Sequence, residues 1–139
     1  MNVYFSCSIT GGREDQPIYQ ALVGRLLELG HQVPTALLAR ADVFEAETVI
    51  SPEEVFRRDD AWVRGCDALI AEVSTPSHGV GYEIALAVCL GKPVFCCYQE
   101  GRSVSKMLLG NRHPQFKIAA YRTTQEALDL VDDFLSNLE

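Results

Sequence analysis

Two carboxylates in this chain stand where a surface acid would not. Glu83 closes the run Ser77-His78-Gly79-Val80-Gly81-Tyr82-Glu83, and at helical spacing its neighbours are Gly79, Val80, Leu86 and Ala87, none of them charged. Asp59 has Val55 and Phe56 behind it and Trp62 and Val63 ahead, in the apolar stripe of its own helix. Asp60 is a useful contrast, because Arg57 and Arg64 are among its neighbours and solvated pairing explains it. A carboxylate among apolar residues needs a partner, a raised pKa or a cavity open to ligand. Glu83 can be read as a core acid bonded to a backbone amide or a Tyr hydroxyl, and Asp59 as a loop cap or a partner of Arg13. If both acids face one cleft, they suit glycosidic chemistry. One carboxylate then attacks or steadies an oxocarbenium-like centre while a proton donor assists the leaving group.

The elements that must position these acids alternate along the whole chain. Strands are expected near residues 2–7, 32–35, 67–73, 93–98 and 116–121, and helices near 16–30, 52–65, 80–90, 103–110 and 124–138. Such alternation implies one doubly wound, Rossmann-like α/β domain over residues 1–139, a five-stranded parallel sheet with helices on both faces. Ser51-Pro52-Glu53-Glu54 combines an N-cap, a Pro at the first helical position and a capping-box Glu, and Thr123 with Glu126 repeats the box. The connection from Ala36 to Ile50 is long, which suggests a lid, a wall of the site or a partner-binding flap.

Ligands of open parallel sheets bind beyond the carboxyl ends of the strands, and two loops there have suitable chemistry. Ser6-Cys7-Ser8-Ile9-Thr10-Gly11-Gly12-Arg13 offers hydroxyls, approachable amides and a guanidinium after the first strand. Ser74-Thr75-Pro76-Ser77-His78-Gly79-Val80-Gly81 precedes a helix N-terminus, which favours negative charge. Neither is a Walker loop or a full G-x-G-x-x-G fingerprint. Each alone also reads as a plain turn; together they favour an anion site of nucleotide size. Gly-x-Ser-x-Gly and His-Glu-x-x-His motifs are absent, and His31, His78 and His113 are too scattered to suggest a metal site.

Composition narrows the class further. Twelve Lys plus Arg against 19 Asp plus Glu give a formal charge of −7, which repels a nucleic-acid backbone. Five cysteines lie in apolar segments without C-x-x-C or Cys/His ligand spacing, as expected of reduced thiols in a cytosolic protein. Met1-Asn2-Val3-Tyr4-Phe5 reads directly as strand, and no apolar run is long enough to span a bilayer. A soluble cytoplasmic protein is expected, with no membrane or polymeric nucleic acid as partner.

Several strings carry a family resemblance: Val3-Tyr4-Phe5 with Ser8-Ile9, Gly11-Gly12-Arg13-Glu14-Asp15-Gln16, Asp59 three before Trp62, Ala71-Glu72-Val73, Pro76-Ser77 with Gly79-Val80-Gly81-Tyr82-Glu83, and Leu90-Gly91-Lys92-Pro93. In this order they resemble the Rcl-type 2′-deoxynucleoside 5′-monophosphate N-hydrolases of the nucleoside 2-deoxyribosyltransferase superfamily, over nearly the whole chain. The resemblance implies a homodimer that releases free base and 2-deoxyribose 5-phosphate without a metal or organic cofactor. By the same resemblance Glu83 is the nucleophile that forms a deoxyribosyl ester, Asp59 the acid serving the departing base, and Tyr4 the phenol that orients Glu83. Ser8, Ile9, Thr10, Gly11, Ser77 and Gly79 correspond to the substrate and phosphate cradle, and Ser105 to a serine contributed by the neighbouring subunit.

The departures fall on the cradle. Thr10 stands where the family pattern has an arginine, Arg13 matches an arginine the family also carries, and Leu37 is nearest the position of a histidine after the second strand. Tyr4, Asp59 and Glu83 are unaffected, so the chemistry is better defined than the substrate. A deoxyribosyltransferase, a ribonucleotide N-glycosidase and a non-catalytic nucleotide-binding module are the alternatives.

Overall fold

The computed structural model describes residues 1–10 and 14–138. β1 (Val3–Ser6), β2 (Ala68–Glu72), β3 (Val94–Gln99) and β4 (Phe116–Tyr121) form a sheet in that order, with every neighbouring pair parallel. Between β1 and β2 come α1 (Gln16–Glu28), a 3-10 turn (Ala36–Ala39), α2 (Val43–Thr48) and α3 (Pro52–Gly65). α4 (His78–Cys89), α5 (Lys106–Leu109) and α6 (Thr124–Ser136) complete the chain.

The side-chain alternation of the strands divides the core into two layers. Val3 and Phe5 of β1 and Ile70 of β2 pack with Tyr19, Leu22 and Leu26 of α1 and with Val131 and Phe134 of α6. Tyr4, Leu69, Ala71 and Val94 pack on the other face with Val63 of α3 and Ile84 and Ala87 of α4. Each fully enclosed Leu stabilises its layer by about 1.5–3 kcal/mol. Gly30 and Gly91 adopt φ of 81° and 70° and end α1 and α4 alike: each donates to the carbonyl three residues back, and the next residue donates to the one five back.

Among the described residues the sheet has four strands where the sequence reading expects five. At residues 32–35 there is only an isolated bridge from Asn2 to Gln32, made by Gln32 N–H to the Met1 carbonyl at 2.9 Å and Val3 N–H to the Gln32 carbonyl at 2.8 Å. The next rung would need an N–H from residue 34, which is a proline. Instead the Thr35 hydroxyl accepts the Phe5 N–H at 2.9 Å, so a side chain finishes what the ladder cannot. This flank lies beside β1 on the edge away from β2, so the crossover after β1 runs to one side and the crossover after β2 to the other, the arrangement that opens a crevice at the carboxyl ends of these two strands. The Ala36–Ile50 connection is not irregular; it holds the 3-10 turn and α2. Among the described residues no helix is long and apolar enough to cross a membrane.

Candidate active site

Glu83 lies in the second turn of α4, which Ser77 caps by accepting the Val80 N–H at 3.4 Å. Its neighbours on the helix are apolar, as the spacing implies, and its partners come from β1. Ser6 donates its hydroxyl to Glu83 Oε2 in a short hydrogen bond. Tyr4, two residues earlier on the same strand face, is fully buried. Among the described residues the Tyr4 hydroxyl meets no acceptor in good hydrogen-bond geometry, yet it lies close enough to Glu83 for each group to perturb the other. Burial, then the charges of Glu83 and Asp59, hold the Tyr4 phenol far above its ordinary range, so it stays protonated. Burial lifts Glu83 to about 7 against the Ser6 hydrogen bond and the neighbouring Tyr4 hydroxyl, and nearby Asp59 adds to the rise.

Asp59 reaches the same place from α3, whose start is fixed by the Ser51–Glu54 capping box. Its side chain is 16% exposed and accepts Arg58 Nε at 2.8 Å. Arg58 also reaches Glu47 of α2, with Nη1 2.9 Å from Oε1, and lies over the Trp62 ring at 5.0 Å. Burial raises the Asp59 pKa, Arg58 opposes the rise and Glu47 adds to it. Asp60 instead pairs with Arg64 at 2.8 Å on the outer side of the helix.

Asp59 and Glu83 line one cavity of about 300 Å³, together with Ile9, Thr10, Ser77 and Gly79. Leu38, Glu47 and Thr48 close one side of it, which makes the connection after α1 a wall of the site. A broader groove of about 590 Å³ adjoins it, shares both acids, and is bordered by the edge-to-face rings of Phe56 and Tyr82. A third groove, of about 500 Å³ between α4 and α5, meets the acids' cavity at Ser77 and Val80 but contains neither acid. Ser105 lines this third groove and caps α5 by accepting the Met107 N–H at 3.2 Å; within its own chain it does not line the acids' cavity. Ser8 is fully buried and does not line that cavity. Gly11, and the Arg13 considered as a partner for Asp59, lie outside the described residues. Among the described residues a Cβ on Gly79 would meet only Ser77 Oγ, at 3.9 Å, and Gly79 lines the cavity.

Sequence reasoning missed Glu47 and Arg58, and took Ser6 only as one of the hydroxyls of the loop after β1, not as the partner of Glu83. Ser6 was within reach, since period-two alternation puts it on the strand face of Tyr4. No pattern around Glu47 or Arg58 marks them, because they meet through an ion pair between α2 and α3. No group of three or more His, Cys, Asp or Glu among the described residues is disposed to hold a metal ion.

Comparison with known proteins identifies the family. The profile of the nucleoside 2-deoxyribosyltransferase family matches residues 3–133. The chain belongs to that family. The 5-hydroxymethyl-dUMP N-hydrolase of Mus musculus is 44% identical over 113 residues, which span 78% of this chain and 65% of the mouse protein. The enzyme of the same name from Danio rerio is 31% identical over 141 aligned residues, 99% of this chain and 98% of the fish protein. Among solved structures, the Clostridium botulinum CMP N-glycosidase BcmB superposes with a TM-score of 0.70 at 20% identity, covering 95% of this chain and 99% of the other, a likeness of fold. As a family member the chain has the Rossmann-like α/β domain its strands and helices form.

Proposed function

We propose that the chain hydrolyses the N-glycosidic bond of 2′-deoxynucleoside 5′-monophosphates to free base and 2-deoxyribose 5-phosphate. The observation that carries this reading is the convergence of Glu83 and Asp59 on one cavity, with Tyr4 and Ser6 behind the first and Arg58 beside the second. The names of the mouse and zebrafish relatives support the substrate class.

Glu83 attacks C1′ as the bond to the base breaks; the bonding pair leaves with the base nitrogen, which takes a proton from Asp59. The sugar is then held as an ester of Glu83. Water, deprotonated by Asp59, opens the ester and regenerates both groups. A 2′-deoxy sugar lacks an electron-withdrawing hydroxyl, so positive charge develops readily at C1′ and an anionic face stabilises it. The raised Asp59 pKa favours a proton on the group that must donate one. Tyr4 and Ser6 hold the Glu83 carboxylate towards the sugar. The 5′-phosphate is received by Ser77, the Gly79 amide at the start of α4, and the backbone of Ile9 and Thr10. Ser8, being enclosed, contributes to the shape of that loop.

The active form in this reading is a homodimer in which Ser105 of a second copy completes the phosphate site. Support comes from the apolar groove beside Ser77 and from Met107, 84% exposed next to Ser105. The five cysteines form no disulfide, in keeping with a reducing cytoplasm. Incubation with each deoxynucleotide, followed by chromatography, is the test: free base and 2-deoxyribose 5-phosphate are expected in equal amounts. No free base from any substrate, with folded protein, refutes the proposal. Sugar transfer to an added second base in preference to water would instead make the protein a transferase.

A further inference from the structure

On the sheet face away from Glu83 lies a carboxylate that the glycosidic chemistry does not use. Glu72 ends β2 and is fully buried. Its oxygens accept the Ser74 N–H at 3.3 Å each, Oε1 accepts the Tyr121 hydroxyl at 3.0 Å, and the Ser74 hydroxyl donates a short hydrogen bond to Oε1. Ser74 Oγ in turn accepts the Gln99 N–H at 2.7 Å. The next residue, Thr75, donates to Asp15 at 2.7 Å and accepts from Arg102 at 3.2 Å, while Arg102 grips Asp15 at 3.0 and 3.2 Å. The start of α1, the turn after β3 and the ends of β2 and β4 thus converge on Ser74 and Thr75. Ser77 and Gly79 follow within a few residues.

We propose that Glu72 is a positioning residue, which fixes the Ser74–Thr75 turn and thereby holds Ser77 and the Gly79 amide in register for the 5′-phosphate. This rests on the phosphate reading above. A buried carboxylate is costly unless donors surround it, and here each donor belongs to a segment that frames the loop. Burial lifts Glu72 to about 7, Asp15 adds to the rise, and the Ser74 and Tyr121 hydrogen bonds resist it. The Cys97 thiol, also facing Glu72, is pushed well up by burial. An acceptor-only carboxylate accommodates all these donors at once; a glutamine, with one acceptor oxygen and a donor NH₂, does not.

The test compares Glu72→Gln and Tyr121→Phe with the wild type, using a 2′-deoxynucleoside 5′-monophosphate and its unphosphorylated nucleoside at about pH 8, where Glu72 and Glu83 are both mostly ionised. For E72Q, KM for the monophosphate rises about tenfold with kcat within about twofold, while kcat/KM for the nucleoside is unchanged. Y121F, which removes one donor only, moves the same preference about threefold. Equal loss for both substrates would mean a merely structural role and overturn the proposal, as would retained discrimination in both variants. A wild type without preference for the monophosphate would refute the phosphate reading and this inference with it. A wild type that prefers it, beside variants that keep the preference, would overturn the role of Glu72 alone. Should E72Q not fold, Y121F decides.

Discussion

Removing the Ser6 hydroxyl probes Glu83, the proposed nucleophile, without touching it. Ser6 donates to Glu83 Oε2 and favours its ionised form, working against the burial that lifts the carboxyl to about 7. A hydrogen bond to a charged group contributes about 1.5–3 kcal/mol, and one pKa unit corresponds to about 1.4 kcal/mol. Ser6→Ala therefore raises the Glu83 pKa by about one to two units, to roughly 8–9. The ionised fraction at pH 7 falls from about one half to between about one tenth and one hundredth, so kcat/KM at that pH drops roughly 5- to 50-fold. The assay is base release as a function of pH with a deoxynucleoside monophosphate. The acid limb of the profile moves up by that amount and the pH-independent maximum falls less than about threefold. An acid limb that stays in place, or a loss equal at every pH, would refute the reasoning that Ser6 acts through the charge of Glu83.

Other outcomes follow from the same geometry. Glu83→Gln abolishes turnover, by about a thousandfold or more, and retains nucleotide binding by calorimetry. The same variant melts higher than wild type at about pH 8: folded Glu83 titrates near 7 instead of 4.5, so between those values the folded state holds the extra proton and stability falls as pH rises. A melting temperature unchanged or lowered at that pH would contradict the raised pKa. Arg58→Gln removes the cation beside Asp59, so the alkaline limb of kcat shifts upward, and it frees Glu47, so kcat falls about tenfold. Gly79→Ala stabilises α4 by up to about 1 kcal/mol in thermal unfolding and raises KM, because its methyl group projects into the cavity and not into the core.

Local rules made much of this molecule legible. The apolar neighbours of Glu83 and Asp59 marked both as inward-facing acids, and both line one cavity, while Asp60, with arginines near it, turns outward to Arg64. Ser51 and Glu54 form the capping box that their spacing implies. At Thr123 only half of the box forms, since Glu126 accepts the Arg122 N–H at 2.7 Å in place of the N-cap amide. The fifth strand failed at one missing hydrogen, that of Pro34, which strand propensity over four residues does not register. Residues 103–110 read as helix, yet only Lys106–Leu109 is helical, because the Ser105 cap sets its start and Gly110 its end. Glu47, Arg58 and the Glu72 network were hidden for a different reason. Their meaning depends on contacts between different elements, and no periodicity encodes which helix, loop or strand end will meet which.

The central claim is that Glu83 bonds to the sugar, and trapping that bond tests it most directly. Acid quenching during turnover of a 2′-deoxynucleoside 5′-monophosphate, followed by intact-mass and peptide analysis, should find one 2-deoxyribosyl 5-phosphate unit on the peptide carrying Glu83. The adduct should be absent from Glu83→Gln. Turnover with the sugar attached to a different residue, or an adduct that persists in that variant, would contradict the account.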